Sequence, residues 1–201
     1  MGDGNLWTDG SRYRIEMTGD SSNDKDYFLY LRRKMHHLFD KEPYPIRVRH
    51  FNGHNWITLR LQPESAFNNL TELGIPHGSG KARKIMIPKT IMEKGWKYSK
   101  WTVRGLWDTD GTVFFSKKTY STRSYPTLEL TTMSEKLAMQ LEELLNSKGF
   151  RAHTRGDATT KNRYRVAIYG KPMLIKWMNE IGFSNKKHLA KFKAYKRLYI
   201  N

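Results

Sequence analysis

The stretch Trp101-Thr-Val-Arg-Gly-Leu-Trp-Asp-Thr-Asp-Gly111 decides how the rest of the chain is read. It reads as a helix that carries Gly105 on one face and ends in Asp-x-Asp-Gly. A small residue on a helix face permits another helix to approach closely, and the terminal acid is delivered to the helix end. The same four residues could open a calcium loop, but that loop needs further ligands and a closing Glu at its twelfth position. Counted from Asp108, that position is Thr119.

Outward from this segment the chain repeats itself. After Asp110 come Gly111-Thr-Val-Phe-Phe115, Pro126-Thr-Leu-Glu-Leu-Thr-Thr132, a helical segment from Ser134 to Lys148, Phe150 to Thr154, Arg163 to Ile168, a helix near Met173 to Asn179, and Ile181-Gly-Phe183. After Asp3 the order is the same: Gly4 to Trp7, Arg12 to Thr18, a helical segment from Tyr27 to Phe39, Ile46 to Phe51, the turn Asn52-Gly53, Trp56 to Leu61, a second helix, and Leu73-Gly-Ile75. Two ββαββα copies, offset by about 107 positions, are therefore expected. The domains are placed at 1–97 and 98–201.

Composition narrows the partner. The chain has 201 residues, 36 Lys+Arg against 19 Asp+Glu, a net charge of +17 and no cysteine. Hydrophobic residues make up 38% of it, too many for a disordered basic tail. Disulfides, thiolate zinc sites and cysteine nucleophiles are excluded. Without a signal pattern or a long apolar run, no membrane partner is expected, and the chain is read as soluble and intracellular, from a prokaryotic cytoplasm or an organelle.

The charge has a pattern. In Arg12 to Thr18, Tyr13, Ile15 and Met17 alternate with Arg12, Arg14, Glu16 and Thr18, so one sheet face is apolar and the other basic. Arg47 and Arg49 alternate with Ile46 and Val48, Thr58 and Arg60 with Ile57, Leu59 and Leu61, and Arg163 and Arg165 with Tyr164 and Val166. Arg151, His153 and Arg155 share one face. A generic wet face would mix Lys and Glu more evenly, whereas Arg suits bidentate contacts with guanine and phosphate. Acids gather on the helices, as in Leu137 to Leu145, away from the strands. Most strand aromatics fall on the inward face, which counts against a stacking RNA surface.

Arg104-Gly-Leu-Trp-Asp-Thr-Asp-Gly111 resembles the second signature of the LAGLIDADG homing endonucleases, and Met1-Gly-Asp-Gly-Asn-Leu6 resembles the tail of the first. The resemblance spans essentially the whole chain. It implies an α+β fold, a pseudo-two-fold duplicated αββαββα, with two antiparallel DNA-binding sheets forming a saddle over the major groove. It implies a site-specific endonuclease that cuts both strands of a long asymmetric duplex and leaves short 3′ overhangs. Mg²⁺ is the implied cofactor, with Mn²⁺ or Ca²⁺ able to occupy the site in vitro. Carried over by motif position, Asp3 and Asp110 hold the metal, with Gly2 and Thr109 in the same set. Lys81 or Lys84, and Lys187, are the implied basic residues near the reacting phosphate. The implied DNA contacts are Arg12, Arg14, Arg47, Arg49, His50, Arg60, Arg123, Arg151, His153, Arg155, Arg163 and Arg165. Asp108 is expected to stabilise the helix junction.

One feature departs from the family pattern. A whole apolar helix normally precedes Gly-Asp-Gly, and here only Met1 stands before it. The face of Gly105 and Leu106 is then expected to be exposed or covered by a substitute, and the chain to be a monomer unless another copy supplies that helix. Double-stranded DNA is the expected partner. A rival reading keeps the fold but not the cleavage, as an RNA maturase bound to intron RNA or as a DNA-binding protein. A ribosomal-RNA structural protein is a third. The seven histidines lack a ligand spacing, and Gly78-Ser-Gly-Lys81 lacks the phosphate-loop spacing.

Overall fold

The computed structural model describes residues 4–119, 121–158 and 160–200. Its elements run β1 (Gly4–Thr8), β2 (Tyr13–Asp20), α1 (Ser21–Phe39), β3 (Arg47–Phe51), β4 (His54–Leu61), α2 (Glu64–Glu72), α3 (Lys89–Glu93) and α4 (Trp96–Thr109). The second series is β5 (Gly111–Ser116), β6 (Tyr125–Thr132), α5 (Glu135–Ser147), β7 (Ala152–Gly156), β8 (Tyr164–Tyr169), α6 (Lys171–Glu180) and α7 (Lys186–Tyr199). The fold is α+β with two four-stranded antiparallel sheets, ordered β1-β2-β4-β3 and β5-β6-β8-β7.

The duplication extends to register. Gly4 opposes Met17 and Leu6 opposes Ile15 in the first sheet, as Gly111 opposes Leu130 and Val113 opposes Leu128 in the second. Strand alternation puts Leu6, Ile15, Ile57, Leu59 and Leu61 inside, where Phe28 and Met35 of α1 and Phe67 of α2 close the first core. Leu128, Leu130, Val166 and Ile168 do the same in the second, against Leu137, Leu141 and Leu145 of α5 and Trp177 of α6. Val48 departs from the expected inward placement and is 47% exposed, because β3 is an edge strand pairing only with β4.

Local chemistry explains the element ends. The Ser/Asn/Asp-rich stretch before Tyr27 is already helical, since Asp20 caps α1 by accepting the Ser22 N–H at 2.9 Å. That contact and the Asn23 side chain hold the Asp20 carboxyl below its usual range. Ser134 caps α5, accepting from Leu137 N and donating to the Ile85 carbonyl at 2.6 Å. The compact units divide at Lys81/Ala82, earlier than the repeat boundary at 97/98. The intervening segment is tied to α5, where Gln140 exchanges two hydrogen bonds with the backbone of Ile87. Asn185–Lys187 group with the first unit and the chain from His188 with the second. No described helix is long and apolar enough to cross a membrane.

Candidate nucleic-acid interface and cleavage centre

The residues of α4 divide sharply by what they do. Val103, Leu106 and Trp107 are buried, and the Trp107 ring packs on Trp177 with centroids 4.8 Å apart. Arg104 lies over Trp101 at 4.4 Å and donates to the Ile181 carbonyl at 2.5 Å through Nε. Asp108, 1% exposed, accepts the Ser184 N–H with both oxygens at 3.0 Å, which ties the end of α4 to the segment after α6. Gly111 is required by space: a Cβ there would lie 2.6 Å from both Cα and O of Trp107. Those obstacles are backbone atoms, so Gly111→Ala should cost about 3 kcal/mol by overpacking. Thermal melts should show that loss as a fall of about 6–12 °C in Tm.

Asp110 ends the helical part of the motif. It is exposed, at the C-cap of α4, with its own N–H spent on the Leu106 carbonyl at 2.9 Å. The negative end of the helix dipole favours a cation there, and a carboxylate with backbone carbonyls is a hard-oxygen donor set. Mg²⁺ uses one or two carboxylates and completes its shell with water and substrate phosphate, so an acid at this helix end fits it. Thr109 turns its hydroxyl back onto Gly105 and Leu106 carbonyls at 3.1 and 3.3 Å, so its side chain is committed to the helix. Asp3 and Gly2 lie outside the described residues. Among the described residues no group of three or more His, Asp or Glu forms a ready metal cluster. The face expected to be bare is divided: Leu106 is 2% exposed, a Cβ on Gly105 would meet nothing within 4 Å, and Trp101 is 51% exposed.

The three lysines are placed differently. Lys81 reaches the Asn5 side chain on β1, next to the strand start that follows Asp3. Desolvation there lowers its pKa. Lys84 is exposed in solvent. Lys187 is held by Asp24 at 2.9 Å in a cluster with Asn185, whose side chain donates to the same oxygen at 2.9 Å. Lys191 instead meets the first strand of the second repeat, donating to Val113 O at 3.0 Å. Lys191 thus meets β5 through a backbone carbonyl, whereas Lys81 meets β1 through the Asn5 side chain. Its sequence carries no sign of this, because α7 is basic along its whole length.

The arginines lie on the outward faces as expected, but not all are unengaged. Arg47, Arg49, Arg151 and Arg155 are exposed, as are His50 and His153, and Arg123 is exposed in the loop before β6. His50 bonds Asn55. Arg12 donates its backbone N–H to Asp9 at 2.8 Å and its guanidinium at 2.7 Å, which hold that carboxyl far below its usual range, and Arg14 stacks on Trp7 at 4.6 Å. Arg60 bonds Glu16 at 2.6 Å. Arg163 and Arg165 share one oxygen of Asp157, both at 2.7 Å, which raises the Arg165 pKa.

Two expectations are corrected. Acid is not confined to the helices: Glu16 and Glu129 occupy equivalent places on the two second strands, and Glu129 meets Arg155 and Arg165, each at 3.5 Å. Isolated arginines on a sheet would repel, and an interposed carboxylate relieves that. Nor are the strand aromatics mostly inward. Trp56 alternates with Ile57 and is 45% exposed, and Phe114 alternates with Val113 and is 40% exposed.

A family model described as a LAGLIDADG-like domain matches residues 98–182. No curated protein matches the sequence. Among solved structures, the homing endonuclease I-DmoI in complex with DNA and Ca is 16% identical over 96% of this chain and 92% of its own, with a TM-score of 0.64. The same enzyme with DNA and Mn gives 17% identity, 91% coverage of both chains and a TM-score of 0.61. Full-length DUF199/WhiA from Thermatoga maritima gives 13% identity over 99% of this chain and 58% of its own, with a TM-score of 0.55. Identities this low speak for the fold. Residues 98–182 form a LAGLIDADG-like domain, and the chain as a whole has the fold of the homing endonuclease I-DmoI.

Proposed function

We propose that the protein is a site-specific double-strand DNA endonuclease whose outward sheet faces bind a long duplex. The observation that carries this is Asp110: within the motif it is the exposed acid, placed at the C-cap of α4, while Asp108 is buried and bound to the Ser184 N–H. The fold it shares with I-DmoI, solved with DNA and with Mn, Ca or Mg, supports the same reading.

In this reading Asp110, and Asp3 by repeat position, would hold Mg²⁺. The chemistry a bound divalent ion supplies is activation of water and neutralisation of charge on the phosphate. The chain's own residues do the rest. Exposed arginines hold phosphates and read base edges, and Glu16, Glu129 and Asp157 fix the guanidinium planes of their partners before DNA arrives. Cleavage of both strands would leave short 3′ overhangs.

For the basic residue near each phosphate, Lys81 and Lys191 are preferred to Lys84 and Lys187. Lys81 is partly desolvated beside β1, where a charge acts more strongly than in water. Replacing Lys81 by Ala should lower cleavage about 10²-fold, as does loss of a transition-state donor. Lys84→Ala should stay within about twofold in the same plasmid-nicking assay, since an exposed lysine contributes mainly a screened charge.

A second reading is favoured by Trp56 and Phe114, whose outward exposure suits stacking on unpaired bases. In that reading the protein binds intron RNA without cutting. Binding tests separate the two. If about six to ten phosphates are neutralised, duplex affinity should fall roughly 10³- to 10⁵-fold between about 50 and 200 mM salt. A preference for intron RNA over duplex at every salt concentration would favour the maturase reading.

A further inference from the structure

At one end of the second sheet lies a cleft of about 620 Å³, within the roughly 300–1,000 Å³ span of small-molecule sites. Tyr125 begins β6 and Tyr169 ends β8, and both stand on the outward face with Arg165 and Thr127. Gly170, at φ +93°, turns the chain into α6 beside the Tyr125 hydroxyl. That turn brings Lys171 to the cleft, where its ammonium donates to the Tyr199 carbonyl at 2.5 Å. The far wall is Tyr195 of α7, fixed by stacking on Phe115 at 4.7 Å and by donating to the Ser124 carbonyl at 3.0 Å.

The chemistry of the lining is of one kind. Lys118, in the turn after β5, places its ammonium 3.6 Å from the Tyr125 ring centre and 5.3 Å from that of Tyr169. Arg151 and His153 add positive or polar groups, and no described acidic side chain lines the cleft. A site for phosphate alone needs the cations but not the tyrosines. A site for an apolar ligand needs the tyrosines but not four basic residues. Duplex DNA offers no base faces, because its bases are stacked. The ligand that uses both halves has one planar aromatic group and one phosphate, with the aromatic face free. Lys118 over the rings keeps them covered until such a face replaces it.

We propose that this cleft binds an unpaired nucleotide of a single strand, its base against Tyr125 and Tyr169 and its phosphate against Lys118, Arg151 and Lys171. The proposal does not depend on cleavage. It is tested by fluorescence anisotropy with labelled oligothymidylate and oligouridylate of about eight nucleotides, alongside an abasic strand of equal length and a random-sequence duplex. Tyr169→Ala and Lys118→Ala should each weaken single-strand binding by at least about fivefold, the low end of stacking losses, while Tyr169→Phe keeps it. The abasic strand should bind more weakly than either oligonucleotide. Lys118→Ala lies on an exposed turn, so its result stands even if the Tyr169→Ala protein unfolds. Unchanged binding in Lys118→Ala, or an abasic strand that binds equally well, would overturn the proposal. So would equal losses for duplex and single strand, which would make the cleft part of the duplex face.

Discussion

Asp110→Asn is expected to lower Mg²⁺-dependent cleavage about 10³-fold or more while leaving duplex affinity within about twofold. The magnitude follows from the role: an acid holding a metal that neutralises phosphate charge contributes several kcal/mol to the transition state, and each ~1.4 kcal/mol is tenfold in rate. Binding should survive because Asn keeps the shape of an exposed helix cap and the basic sheet faces are untouched. Asp108→Asn gives the informative contrast. Its two contacts to the Ser184 N–H lie in a buried site, so that change should lower Tm first and cleavage only as the helix end loosens. If Asp108→Asn abolished cleavage at unchanged Tm while Asp110→Asn did not, the two roles assigned here would be reversed. The experiment is a supercoiled-plasmid nicking series with thermal melts on the same preparations.

Trp177→Ala carries the largest expected stability effect. The residue is fully buried, its ring meets Trp107 at 4.8 Å, Phe183 at 5.7 Å and Phe150 at 6.0 Å, and its Nε1 donates to the Gly182 carbonyl at 3.1 Å. Truncation opens an aromatic-sized cavity and removes that hydrogen bond, which together cost about 3–5 kcal/mol. Against a total of about 5–15 kcal/mol for a domain, this is a large fraction. Urea unfolding followed by circular dichroism should show the midpoint falling sharply. Leu198→Ala, at a position 64% exposed, should stay within about 0.5 kcal/mol. Because Trp177 also supports Trp107 on α4, the same truncation should reduce cleavage at temperatures where the fold is still largely native.

Much of this was legible in the residues themselves. Alternation in Arg12 to Thr18 and Trp56 to Leu61 gave strands with a buried and a basic face, and Ser134 to Lys148 gave an amphipathic helix, since those signals are local and periodic. The order of segments after Asp3 and Asp110 gave the duplication. What sequence could not give was pairing across distance. Nothing local says that Lys187 meets Asp24 while Lys191 meets Val113, or that Asp157 gathers Arg163 and Arg165. α7 was missed for a related reason: only His188 and Tyr195 are buried on it, too few for an apolar stripe to stand out among lysines. Trp56 and Phe114 stand outward by alternation with the buried Ile57 and Val113, whereas aromatic residues raise strand propensity on either face, so composition does not report which face they take.

The central claim is that a solvent-facing acid at the end of α4 serves the hydrolysis of duplex DNA. The most direct measurement is incubation of the purified protein with a plasmid library carrying randomised inserts, with Mg²⁺ or with EDTA, followed by sequencing of the cut ends. The account predicts Mg²⁺-dependent cuts on both strands, confined to one long asymmetric site, with short 3′ overhangs and no cutting by Asp110→Asn. Duplex binding without cleavage of any library member, with or without Mg²⁺, would contradict it.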